Sequence, residues 1–375
     1  MKAGLFHSFV IGLLIATAGV LAIELGLSAA VLEIAMGFAA RNVIGIYEAE
    51  WLTFISDIGL ITLMFMAGFE VDIPMLRKNL GKSTAVGGLS FLVPFGGIFL
   101  LCKLFGMPDE KAVIFSICMS TTSLALVFPV LREQGLLMNV PGQFLLSSAM
   151  VVDIASVLAL LLFFIEMSWA LLYGAIGILI IFILAPRLSR WLFGRWRGNL
   201  IEMEIRFILF TLIALLFIAE LSEVHAALTG FIFGAVMGSI LRKHYQVEEK
   251  IRNIVFGFFA PVFFFHAGTQ MDISDFNWMD ALFVLIFTPA AFLLKFAGSY
   301  YPFSWFGSSL NKFGAILFNY RLSFAIVAAL YAVDPARGII SGGEYSAIMT
   351  IVLVTSLGTA FLLKFRPNIE HPPME

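Results

Sequence analysis

The chain has 375 residues, 61% of them hydrophobic and only 13% charged, with a formal net charge of −2. Its mean hydropathy of +0.99 excludes an ordinary water-soluble globular fold, and runs of 18 or more apolar residues recur from end to end, each long enough to cross a bilayer. The net charge says little for such a chain, and what matters is where the charges lie; no nucleic-acid partner is expected.

Splitting the chain at its polar clusters predicts thirteen membrane-spanning helices: 6–25, 28–46, 51–70, 82–105, 111–131, 143–165, 167–186, 203–221, 225–242, 251–270, 278–298, 312–333 and 343–364. The first could pass for a signal peptide with Ala16-Thr17-Ala18 as its cleavage site. However, its leading segment holds only Lys2, and the apolar run continues past Ala18. The connections are short. The longest polar one, at 187–202, divides a first half (1–186) from a second half (203–364), with a short tail at 365–375. The whole is expected to form one membrane domain with no appended soluble domain. The 40 Phe residues are expected to fill the core and face lipid.

Loop charges predict orientation. Sixteen Lys and Arg residues fall in one alternating set of loops and five in the other, with Lys295 and Arg321 left inside spans. The rich side is read as cytoplasmic, which places the N-terminus outside and the C-terminus inside a cell membrane.

Cys102 and Cys118 sit in apolar surroundings without a CxxC pattern and read as buried thiols. The five His form no metal cluster. No catalytic motif of the GxSxG, HExxH or phosphate-loop type is present. Enzymatic chemistry and a bound cofactor are therefore not expected.

Three ionisable residues fall inside spans. Asp153, in "SSAMVVDIASVLALLLFF", lies about ten residues into its helix, roughly 15 Å at the helical rise, close to the bilayer midplane. Lys295 lies in "TPAAFLLKFAGSYY" and also reaches mid-depth if its helix continues to Pro302. Arg321 lies in "GAILFNYRLSFAIVAAL". A charge at that depth costs several kcal/mol even after relaxation. It is a functional candidate by default, whereas Glu70, at a span end, reads as a supporting charge. Two spans look interrupted. One carries Ser120-Thr121-Thr122-Ser123 followed by Pro129; the other carries Asn319, Tyr320, Arg321 and Ser323. Hydroxyls can satisfy backbone groups freed where a helix unwinds, and paired interruptions mark the ion site of many secondary transporters. Spans 4–6 set against 11–13 as an inverted three-helix repeat would bring Asp153, Lys295 and both interruptions to one midplane cavity.

Taken in order, "LEIAMGFAARNVIG" (32–45), "DIGLITLMFMAGFEVD" (57–72), "STTSLALVFPVL" (120–131), "AMVVDIASVLALL" (149–161), "HAALTGFIFGAVMGS" (225–239) and "FFAPVFFFHAGTQMDI" (258–273) resemble the monovalent cation:proton antiporters of the bacterial sodium/proton and Kef-type potassium group. The resemblance implies an all-α fold with panel and core domains, two broken helices crossing near the ion site, and a homodimer. It maps the ion-binding carboxylate onto Asp153, the core lysine onto Lys295 and the hydroxyl-rich break onto Thr121, Thr122 and Ser123. Arg321, Ser323, Asn319 and Glu70 are then core-supporting. Two departures stand out. Val152 occupies a position that is commonly Asp, Asn or Gln, and Arg321-Leu322-Ser323 replaces an Arg-Gly-Glu-like run. The expected function is exchange of protons for a monovalent cation, Na⁺ before K⁺ or Li⁺, by alternating access, with Asp153 carrying either ion. A cation channel or channel-like K⁺ efflux protein is the alternative, which a continuous polar pore lining would favour.

Overall fold

A computed structural model describes residues 2–46, 50–70, 80–136, 139–164, 169–195, 202–222, 226–241, 245–305 and 311–364. Among these residues the chain is helical throughout, without strands. The helices are α1 (Lys2–Leu25), α2 (Ala29–Ala39, extended by a π-turn at Ala40–Ile44), α3 (Glu50–Glu70), α4 (Leu80–Leu104), α5 (Asp109–Ser120), α6 (Leu124–Glu133), α7 (Val140–Phe164) and α8 (Trp169–Arg195). They continue with α9 (Met203–Leu221), α10 (Ala226–Leu241), α11 (Tyr245–Ile254, followed by a π-turn at Val255–Phe259), α12 (Ala260–Thr269), α13 (Trp278–Trp305), α14 (Asn311–Leu317), α15 (Ser323–Val333) and α16 (Gly342–Lys364).

Each predicted span has its helix or broken helix. Among the described residues, eight helical stretches, α11–α12 counted as one with its π-turn, are long and apolar enough to cross a membrane unaided. The fifth and twelfth spans are broken in two, as α5–α6 and α14–α15. Several ends run further than the polar clusters suggested, α11 among them, which begins at Tyr245 rather than at 251. Helix α8 continues nine residues past 186, to Arg195, with Pro186 inside it, and α13 continues to Trp305 with Pro289 and Pro302 inside it. Arg187 and Arg190 each donate to a carbonyl four residues back. Charged residues can thus extend a helix beyond its apolar run by bonding its own backbone.

The chain forms two compact units, each built from two separate segments: residues 1–72 with 164–270, and residues 73–163 with 271–375. In the first unit α3 packs on α10 and α2 on α12 at close range. A methyl group at Gly234 would lie 2.0 Å from the Phe65 carbonyl oxygen, and one at Gly68 would lie 1.8 Å from that of Phe231. Helices can approach so closely only where one carries no Cβ, the usual means of association in lipid.

In the second unit the order long helix, broken helix, long helix occurs twice: α4, α5–α6, α7 and then α13, α14–α15, α16. The first set starts at an even-numbered span and the second at an odd one, so the two run in opposite senses through the membrane. Phe105, Phe115, Phe283 and Phe287 close one part of this unit with edge-on and tilted ring contacts. Phenylalanine here fills the core as expected.

Candidate functional site

Helix α5 stops at Ser120 because Thr121 adopts an extended backbone. Its last carbonyls therefore lack their usual donors four residues on. In particular, the N–H of Ser123, the expected donor to Met119, goes instead to the carbonyl of Tyr320 at 2.8 Å. Side chains take over the vacated carbonyls. The Thr121 hydroxyl donates to the Cys118 carbonyl at 3.3 Å, the Arg321 Nε to that of Met119 at 2.7 Å, and the Lys295 Nζ to that of Ser120 at 2.5 Å. Two cations thus close the C-terminal end of one half-helix, the end whose partial charge is negative.

The second break mirrors the first. Helix α14 ends at Leu317, and the chain re-enters a helix at Ser323. The Asn319 amide donates to the Ala315 carbonyl at 3.0 Å, and the Thr122 hydroxyl to that of Phe318 at 3.1 Å. The Ser356 hydroxyl of α16 donates to the Arg321 carbonyl at 2.7 Å, and the Ser123 and Ser323 hydroxyls meet at 3.2 Å. Each break therefore supplies donors that the other needs, and the two cross in direct contact.

The charged groups are fully enclosed. Lys295 and Arg321 are 0% exposed and Asp153 is 1% exposed. Besides Ser120, the Lys295 ammonium donates to the Ser90 carbonyl of α4 at 3.0 Å, and Asp153 and Arg321 both lie within its electrostatic reach. Arg321 also donates to the Ala291 carbonyl at 2.7 Å and to Asn319 Oδ1 at 3.2 Å. The site combines one carboxylate, two cations, three consecutive hydroxyls and an array of carbonyl oxygens, a donor set suited to protons and hard monovalent cations.

Of the residues singled out from sequence, Asp153, Lys295, Thr121, Thr122, Ser123, Asn319, Arg321 and Ser323 all belong to this unit and are buried. Glu70 is the last residue of α3 in the other unit, and its side chain lies outside the described residues. Ser90, Ser299 and Ser356 were not anticipated. The Ser90 and Ser299 hydroxyls meet at 2.9 Å beside Lys295, joining α4 to α13. Their one sequence signal is a buried hydroxyl within an otherwise apolar helix.

Opposed long–broken–long helix sets, with their breaks crossing at buried charges, define a membrane transporter core rather than an enzyme active site. The profile of the family described as "Sodium/hydrogen exchanger, transmembrane" matches residues 10–365, and the chain belongs to that family. It is 27% identical over 84% of its length to a probable Na⁺/H⁺ antiporter 3 of Methanocaldococcus jannaschii, of which 84% is covered. It is 29% identical to a Na⁺/H⁺ antiporter of Enterococcus hirae, with 83% of each chain covered, and 26% identical to the Na⁺/H⁺–K⁺ antiporter GerN of Bacillus cereus, over 93% of this chain and 92% of that one. Among solved structures, the sodium proton antiporter MjNhaP1 from M. jannaschii at pH 8 superposes with a TM-score of 0.67 over 96% of both chains, at 14% identity. The protein is a multi-pass membrane transporter that exchanges cations for protons.

Proposed function

We propose that Asp153 is the shared carrier and that Na⁺ is the preferred cation, moved by alternating access. The observation that supports this most directly is that a buried carboxylate, an ammonium and the two helix breaks belong to one unit. A single carboxylate holds the protonated Lys295 ammonium or a dehydrated cation, but not both well, and that competition couples the two fluxes. The hydroxyls and carbonyls at Thr121, Thr122 and Ser123 complete the cation's oxygen shell. Lys295 is the coupled partner. While Asp153 is ionised against the ammonium, the proton to be exchanged is the lysine's, so one proton leaves for each monovalent cation that enters. The excess of Lys and Arg on one set of loops supports an external N-terminus and a cytoplasmic C-terminus. The family resemblance supports a homodimer.

The test is Asp153→Asn and Asp153→Ala in proteoliposomes. Both variants are expected to insert and fold while losing Na⁺-driven proton movement. Coupled exchange retained by the Ala variant would remove Asp153 as the carrier.

A further inference from the structure

A second carboxylate lies at membrane depth in the other unit, and nothing in the exchange site uses it. Glu33 of α2 is 5% exposed. It stands about five residues past the α1–α2 turn, or about 7.5 Å along the helix. Among the described residues it has no hydrogen-bond or ion-pair partner. It opens instead into a cavity of about 530 Å³ whose walls include Gly19 and Ala22 of α1 together with Phe256, Gly257 and Pro261.

The far wall is chemically unusual. Residues 255–259 form a π-turn, in which Ala260 donates to the carbonyl of Val255. The next residue, Pro261, has no N–H to give. The Phe256 carbonyl is therefore left without a helical donor either four or five residues on, and the Gly257 carbonyl without one four residues on. Both residues line the cavity that Glu33 enters. A π-turn interrupting a membrane helix often marks a functional site, and backbone freed at that depth is tolerated where it lines a cavity. Glu33 is the one titratable side chain in the cavity wall. None of the other described charged or titratable groups on the elements packed against α2 and the π-turn, among them Glu24 of α1, Arg41 of the α2 π-turn, Asp57 of α3, Arg252 of α11 and His266 of α12, lines it.

We infer that this cavity is a second monovalent-cation site, distinct from the one at Asp153, in which Glu33 exchanges its proton for a cation held by the carboxylate and the carbonyls of the π-turn. The step balances as one proton released from the Glu33 carboxyl for each cation bound. An isolated buried carboxylate cannot stay ionised without a counter-ion, and carbonyl oxygens released from the helix ladder in the same lining are the hard donors an alkali cation takes.

The test is equilibrium binding of ²²Na⁺ to the purified full-length chain in detergent at alkaline pH. On the role proposed for Asp153, Asp153→Asn removes the first site and isolates the second. Glu33→Gln alone, read against the parent, is expected to lose one Na⁺ per chain whichever residue holds the first site, so failure of the two proposals can be told apart. The Asp153→Asn protein is expected to keep saturable binding of one Na⁺ per chain, with one proton released into weak buffer per Na⁺ bound. Adding the isosteric Glu33→Gln is expected to abolish both. Lack of saturable binding in Asp153→Asn, or binding unchanged by adding Glu33→Gln to a chain with the parent's thermal stability, would overturn the inference.

Discussion

Replacing Arg321 with Met keeps the length and apolar bulk of the side chain and removes its charge and donors. Two backbone carbonyls, of Met119 and Ala291, would each lose a charge-assisted bond of 2.7 Å, and Asn319 Oδ1 would lose one of 3.2 Å. Bonds to charged groups contribute about 1.5–3 kcal/mol each, and a stranded buried acceptor costs about 1–3 kcal/mol. Arg321 is itself fully buried, so deleting it also removes a desolvated charge, which offsets part of the loss. The net destabilisation is expected to be about 3–5 kcal/mol, the lost charge-assisted bonds less the desolvation regained. The measurement is thermal unfolding of the purified protein in detergent, compared with Arg321→Lys. The lysine keeps the charge and can reach one carbonyl but not both, because it lacks the planar fork of arginine. It is expected to lose about half as much stability. A melting temperature for Arg321→Met within about 1 °C of the parent would show that the end of α5 does not depend on this guanidinium. At roughly 2 °C or more per kcal/mol for a domain of 150–250 residues, a loss of 3 kcal/mol could not hide within that margin.

For Lys295, Lys295→Gln is expected to slow exchange and change its pH profile, whereas Lys295→Arg recovers stability but not exchange, because arginine does not give up its proton near neutrality. Full exchange in the Arg variant would refute lysine as the proton donor. On stoichiometry, Val152 leaves Asp153 without an adjacent polar partner, so exchange in proteoliposomes is expected to ignore a membrane potential imposed by a valinomycin–potassium gradient, with Na⁺ as the transported ion. A rate and end point that follow the potential would refute one-for-one exchange, and Val152→Asp is expected to introduce that voltage response.

The spans could be read from sequence because lipid demands long apolar runs, and each break left a polar trace at membrane depth: Thr121 to Ser123 in one, Asn319 and Arg321 in the other. The limits of α8 and α13 could not. Arg187 and Arg190 look like loop residues until their bonds back to the helix carbonyls are seen. Pro302 likewise looks like a stop until α13 is followed to Trp305. The immediate partners of Lys295 were hidden for a deeper reason. The reading from residue types set the ammonium against Asp153, yet its hydrogen bonds go to the carbonyls of Ser90 and Ser120. Every residue has a carbonyl, so an acceptor of this kind leaves no mark in a sequence. Only the break in α5, by withholding the donor to each terminal carbonyl, decides which carbonyls need a cation. The same circumstance separates the two cations that meet there. Arg321 and Lys295 close neighbouring carbonyls of one helix end, but a guanidinium stays charged under all working conditions. Under the proposed exchange, Arg321 therefore keeps the crossing intact through the whole cycle. The bond from Lys295 to Ser120 is the one whose strength changes when a proton leaves.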